Sequence, residues 1–173
     1  MTARDGGVTA RLVIEPLAPH HAPALFAALD DDRVGTYIGG PDVTTLEALE
    51  RRIVALLGDA PAGQEWRNWV VSHDGNVVGR LEATLHDDIA EIAYVFAPSW
   101  WGHGFATESG RWLVERLDAD VAQQWATVMP GNAASIGLLG RLGFAIVDDD
   151  ERRNDLMSYD DGDVVFFRPR PGQ

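Results

Sequence analysis

The spacing of apolar positions changes several times along this 173-residue chain, and each change marks an element. Arg11-Leu-Val-Ile-Glu-Pro16 is a short β-branched run ended by its proline, as expected of a first strand. Leu25, Phe26 and Leu29 then share one helical face, and Asp30-Asp-Asp32 closes that segment as a solvated turn. Thr44-Thr-Leu-Glu47 has the form of a capping box, opening a helix with Leu46, Leu49, Ile53 and Leu56 near helical spacing; Gly58 stops it. Residues 58–65 read as a surface loop, because neither flank is long enough to fold separately.

Three strands come next. Trp66–His73 and Asn76–His86 flank Asp74-Gly75, a strong hairpin signal, and Asp87-Asp88 leads into a strand over Ile89–Ala97. If Asp87-Asp88 is a two-residue loop, residue 86 pairs with 89 and Glu82 lies opposite Ala93. Alternation then puts Glu82, Thr84 and His86 on one face with Glu91, Ala93 and Val95. Leu81, Ala83, Leu85, Ile92, Tyr94 and Phe96 form the opposite, apolar face.

After a glycine-rich turn, a helix runs to about Asp118, with Phe105, Ala106, Trp112, Leu113 and Leu117 expected inside. Gln124–Met129 is a further strand. Pro130-Gly131 turns the chain, and Asn132 caps a short helix, Ala133–Leu142, that Gly143 closes. A hairpin through Asp160-Asp-Gly-Asp163 into Val164-Val-Phe-Phe ends the chain. Helices gathered around a run of three antiparallel strands predict one α+β domain over residues 1–173, with residues 1–8 flexible.

Composition narrows the chemistry. At 46% hydrophobic and 24% charged, the chain can bury a substantial core. It has no cysteine, which excludes disulfides, thiolate metal sites and a cysteine acyl-enzyme. All 14 basic residues are arginine, which excludes a Schiff-base lysine and a Walker phosphate loop. A net charge of −13 argues against nucleic acid and suits a cationic substrate. The N-terminal Met-Thr-Ala-Arg-Asp-Gly-Gly has no apolar signal core, and no apolar run approaches the roughly 18 residues that span a bilayer, so a cytoplasmic protein without a membrane partner is expected. His20-His21 has no partner at metal spacing, and no metal is expected.

The most informative stretch runs from Glu91 to Thr107. A strand enters a turn punctuated by Gly102 and Gly104 and passes directly into a helix. The first amides of a helix have no intrahelical acceptor and sit at the positive end of its dipole, so such a turn can hold a phosphate without lysine. Gly102-His-Gly104 also brings to mind a dinucleotide fingerprint, but Thr107 stands at the third glycine position and the turn follows an antiparallel hairpin, which disfavours an oxidoreductase.

The order strand, two helices, three antiparallel strands, glycine turn, helix, strand, helix, two strands resembles the GNAT acetyltransferase fold, a mixed, mostly antiparallel sheet flanked by helices. Trp101-Gly-His-Gly-Phe-Ala106 is similar to that superfamily's acetyl-CoA loop, and Asn132-Ala-Ala-Ser-Ile-Gly-Leu-Leu-Gly-Arg-Leu-Gly-Phe144 to its second helical motif. With Arg-Leu-Val-Ile-Glu-Pro-Leu17 and Ala-Thr-Glu108, the resemblance is to the RimJ/RimL-like branch and spans residues 9 to about 147. Trp101 stands where Gln or Arg is usual, and Leu139 where many members carry a tyrosine acid.

The resemblance implies acetyl-CoA as co-substrate and a primary amine as acceptor, either a protein N-terminus or a small amine such as an aminoglycoside. It implies cofactor contacts from Tyr94, Val95 and Phe96, from the turn Trp101, Gly102, His103, Gly104, Phe105, Ala106 and Thr107, and from Asn132. It makes Glu91 the first candidate for the general base, with Glu82 the second, and gives Ser135 the role of acid toward the departing thiolate. Acceptor specificity would reside in residues 20–65 and 148–163, and dimers are common in the fold. A non-catalytic acyl-CoA sensor would carry the same cradle and stands as the alternative.

Overall fold

In the computed structural model, residues 5–36, 44–147 and 156–172 are described. Eight strands form one sheet in the order β1-β2-β3-β4-β5-β6-β8-β7. They are β1 (Gly7–Val8), β2 (Val13–Pro16), β3 (Gln64–His73), β4 (Asn76–His86), β5 (Ile89–Phe96), β6 (Gln123–Val128), β7 (Ala145–Val147) and β8 (Val164–Pro169). Every pairing is antiparallel except β5 with β6. The helices are α1 (Ala22–Leu29), α2 (Asp32–Gly35), α3 (Leu46–Leu56), α4 (Phe105–Leu117) and α5 (Ala133–Arg141).

The central hairpins follow from local turn chemistry. Asp74 and Gly75 take φ values of 47° and 77°, the left-handed pair that a tight hairpin requires. The second turn sets His86 opposite Ile89 and Glu82 opposite Ala93, the register expected from a two-residue loop. One face of β4 and β5 therefore carries Leu81, Ala83, Leu85, Ile92 and Phe96, which pack with Phe105, Leu113 and Leu117 of α4 and Leu138 and Leu139 of α5. The other face meets Leu25 and Leu29 of α1 and Leu49 and Ile53 of α3.

Several boundaries differ from the sequence reading. Thr45, not Thr44, caps α3, its hydroxyl accepting from Ala48 N–H at 3.1 Å. The Asp30–Asp32 turn opens the short helix α2, with the Asp31 carboxylate accepting from Arg33 N–H at 3.0 Å. Gly7 and Val8, within the stretch expected to be flexible, pair with Ile14 and Val13; residues 1–4 lie outside the described residues. The terminal hairpin is wider than a tight turn. Among the described residues β7 and β8 are consecutive and pair antiparallel, with Asp160–Asp163 just before β8 in the connection between them, and β8 takes β6 on its other side. Residues 148–155 of the expected specificity segment lie outside the described residues, as do 37–43. Among the described residues no helix is long and apolar enough to cross a membrane.

Candidate active site

The site originates where the one parallel pair comes apart. β5 and β6 are paired only through Ile89–Gln123, Ala90–Gln124 and Glu91–Trp125. Beyond Glu91, β5 continues against β4 alone. Ala97 N–H donates to Val78 O at 2.9 Å, so alternation turns the Val95 main-chain groups toward β4 and those of Tyr94 and Phe96 toward the opened side. There the Phe96 carbonyl accepts the Trp101 indole N–H at 2.8 Å.

The glycine turn follows at once. Gly102 and Gly104 take φ values of 79° and 80°, and Gly104 is the N-cap of α4. The first bond back along this helix runs from Glu108 N–H to Gly104 O at 3.0 Å, so the amides of Phe105, Ala106 and Thr107 have no intrahelical acceptor. The turn is braced from outside by Arg11, which donates through Nη1 to His103 O at 3.0 Å and through Nε to Glu108 at 2.7 Å.

A cavity of about 460 Å³ joins the turn to α5. Tyr94, Val95, Phe96, Trp101, Gly102, Gly104, Phe105, Ala106, Thr107, Asn132 and Ser135 all line it. His103 does not; its exposed ring lies at 28° to that of Phe105, with centroids 5.7 Å apart. Asn132 is committed to capping, its side-chain oxygen accepting from Ser135 N–H at 3.1 Å. Tyr94 Oη is buried without a hydrogen bond of good geometry and faces Ser135. Burial pushes its pKa up to about 12 against the opposing pull of the Ser135 hydroxyl and Arg141.

Two cavity-lining arginines escaped the sequence reading. Arg33 projects from α2, pairs with Asp31 at 2.7 Å and has its guanidinium carbon 5.9 Å from the centre of the Trp101 ring. Its side-chain and backbone hydrogen bonds hold the Asp31 carboxyl down to about 2. Arg141, at the end of α5, reaches Thr107 Oγ1 at 3.4 Å. The only sequence signal for Arg141 was its place within the second helical motif; Arg33 follows three aspartates that read as a solvated turn.

The two glutamates expected as bases share the α1/α3 side of the sheet and do not line the cavity. Glu82 pairs through Oε1 with Arg52, at 3.2 Å, and with Arg80. Glu91 is buried and accepts from His86 Nε2 at 2.7 Å and from Met157 and Ser158. His86, on the same face, is partly buried against it. Ala93, between them in strand register, is exposed. Among the described residues no group of three or more His, Asp or Glu side chains is arranged to hold a metal.

Residues 11–145 match the model of the Acetyltransferase (GNAT) domain. The chain belongs to the GNAT acetyltransferase family. A relative from Bacillus subtilis (strain 168), "Uncharacterized N-acetyltransferase YoaA", is 29% identical over 146 residues, spanning 79% of this chain and 80% of that protein. Among solved structures, the acetyltransferase (GNAT family) from Bacillus anthracis superposes with a TM-score of 0.74 at 19% identity, covering 95% of this chain and 98% of its own. RimL, the ribosomal L7/L12 alpha-N-protein acetyltransferase in complex with coenzyme A, gives a TM-score of 0.78 at 18% identity, covering 94% of this chain and 96% of its own.

As a GNAT acetyltransferase, the protein is an acetyl-CoA-dependent enzyme. The chemistry of the cavity fits that donor. Helix-start amides without intrahelical acceptors and two guanidinium groups offer an anion local positive charge within a chain of net charge −13, and the edge of β5 that has parted from β6, at Tyr94 and Phe96, can meet an amide-bearing arm.

Proposed function

We propose that this enzyme is an N-acetyltransferase of the RimJ/RimL-like branch, acting directly on a primary amine, with the α-amine of a protein N-terminus as the favoured acceptor. Acetyl-CoA supplies an acetyl group activated as a thioester. The amides from Gly102 to Thr107, with Arg33 and Arg141, would hold its phosphates, and the Tyr94 and Phe96 main chain its arm.

The observation that carries the reading is the Tyr94–Ser135 pair on the wall of the same cavity as the amide cradle. Ser135 Oγ has the proton that a leaving sulfur needs, and the neutral Tyr94 hydroxyl faces it to replenish that proton. On the acceptor side, Glu82 lies opposite the exposed Ala93 and pairs through Oε1 with Arg52 and Arg80. Glu82 is therefore proposed to take the proton from the amine, directly or through a water. Two guanidinium neighbours leave it best suited to an acceptor that sheds its proton easily. An α-amine, with a pKa of about 8, fits better than an alkyl amine of about 10.

The name of RimL, an α-N-protein acetyltransferase with the same fold, supports the N-terminal reading. The net charge of −13 favours a second one, a polycationic small amine. A thiol-release assay with acetyl-CoA and a panel of N-terminal peptides, aminoglycosides and simple amines separates them. Turnover on peptides that is lost when their N-termini are blocked is expected. Turnover confined to aminoglycosides would replace the favoured reading, and tight acetyl-CoA binding without turnover on any amine would leave a sensor.

A further inference from the structure

Glu91 is only 5% exposed, and both of its oxygens are fully engaged. Oε1 accepts from His86 Nε2 at 2.7 Å and from Met157 N–H at 2.9 Å. Oε2 accepts from Ser158 N–H at 2.8 Å and from the Ser158 hydroxyl at 2.5 Å. A carboxylate offers about four lone-pair positions, so none remains for a substrate amine or for a water leading to one. What these bonds do is mechanical. Consecutive amides of the 157–158 turn are pinned to the middle of the sheet, with Thr127 Oγ1 donating to Ser158 O at 2.8 Å and Leu156 buried in a cluster with Trp125 and Val165.

The pinned turn stands beside an opening. Ala93 lies two residues past Glu91 on the same face of β5, where β5 has parted from β6, and is exposed. We infer that Glu91 is a positioning residue that fixes the Met157–Ser158 turn as one wall of the acceptor approach over Ala93, and that it takes no proton from the substrate. The inference rests on the acetyl-transfer reading above for its account of the acceptor, but the pinning itself can be measured without turnover.

The test pairs Glu91→Gln with Ser158→Ala, in the full-length protein. A glutamine must turn an NH2 group toward donors that now meet an oxygen, so one side of the clip opens; the serine change removes a single donor from an exposed residue. Hydrogen exchange of the Met157 and Ser158 amides should accelerate in Glu91→Gln and, less so, in Ser158→Ala. The KM for the amine should rise roughly tenfold in Glu91→Gln, equally for strongly and weakly basic amines, with acetyl-CoA affinity unchanged. Unchanged exchange in both variants would overturn the clip. A fall in kcat confined to Glu91→Gln, and abolished with an amine already neutral at the assay pH, would make Glu91 the base after all. A wild-type enzyme that acetylates no amine would count against the function proposed above, while the exchange measurement would still decide the role of Glu91.

Discussion

The indole N–H of Trp101 donates to the main-chain oxygen of Phe96 at 2.8 Å, tying the glycine turn to the last residue of the strand before it. The bond spans five residues and fixes the angle at which the strand edge meets the helix-start amides. Trp101→Phe retains an aromatic wall, though a smaller one, and loses the donor. Acetyl-CoA affinity should fall about fivefold by titration calorimetry, the equivalent of one hydrogen bond worth about 1 kcal/mol, with little change in thermal stability. A large stability loss with unchanged affinity would mean that the bond braces the fold and not the cradle.

The legible parts of this molecule were those set by neighbours in sequence. The β4–β5 register followed from a two-residue loop and period-two alternation, and the cradle from two glycines between strand and helix. Long-range choices were hidden. Three of the four donors that occupy Glu91 come from 66 and 67 residues away, and β8 takes β6 as well as β7 as a neighbour, a pairing no turn signals. Thr44 and Thr45 are both competent caps, and only the path of the chain into α3 selects the second. Arg33 reaches the cavity because α2 folds back over Trp101, which no spacing rule encodes.

Gly79 shows the difference between a glycine needed for space and one needed for backbone freedom. A Cβ there would lie 2.5 Å from Val95 O and 2.6 Å from the Phe96 ring, inside the β4–β5 ladder. At Gly102 nothing lies within 4 Å, and only the left-handed φ of 79° opposes a side chain. Gly79→Ala should therefore cost at least about 3 kcal/mol in urea unfolding, and Gly102→Ala about 1 kcal/mol. For Gly102→Ala the larger effect should be on acetyl-CoA affinity, since the turn itself must shift.

Glu108 holds the N-terminal segment to α4. It accepts from the Thr9 hydroxyl at 2.5 Å, Arg11 N–H at 2.9 Å and Arg11 Nε at 2.7 Å. Burial alone would raise its pKa, but these hydrogen bonds outweigh burial and lower it from 4.5. A depressed carboxylate stabilises the fold fully above its unfolded-state pKa and loses that contribution as pH falls through the folded value. Glu108→Gln should be less stable than wild type by about 2 kcal/mol near neutrality. The gap should narrow as pH drops below 4.5, by urea unfolding at a series of pH values.

Tyr94 works in the opposite direction. Burial raises its hydroxyl from 10.0 to about 12, so between those values the unfolded chain ionises while the folded one does not, and stability falls as pH rises. The loss across that window should be about 3 kcal/mol, and Tyr94→Phe should abolish it. At neutral pH the same substitution removes a buried hydroxyl that lacks a well-formed hydrogen bond, so stability should be unchanged or higher. Catalysis should respond otherwise. If the hydroxyl keeps Ser135 supplied with its proton, kcat should fall by roughly a hundredfold while acetyl-CoA affinity holds. An enzyme that keeps its kcat in Tyr94→Phe but loses it in Ser135→Ala would leave the serine as the sole protein group serving the sulfur.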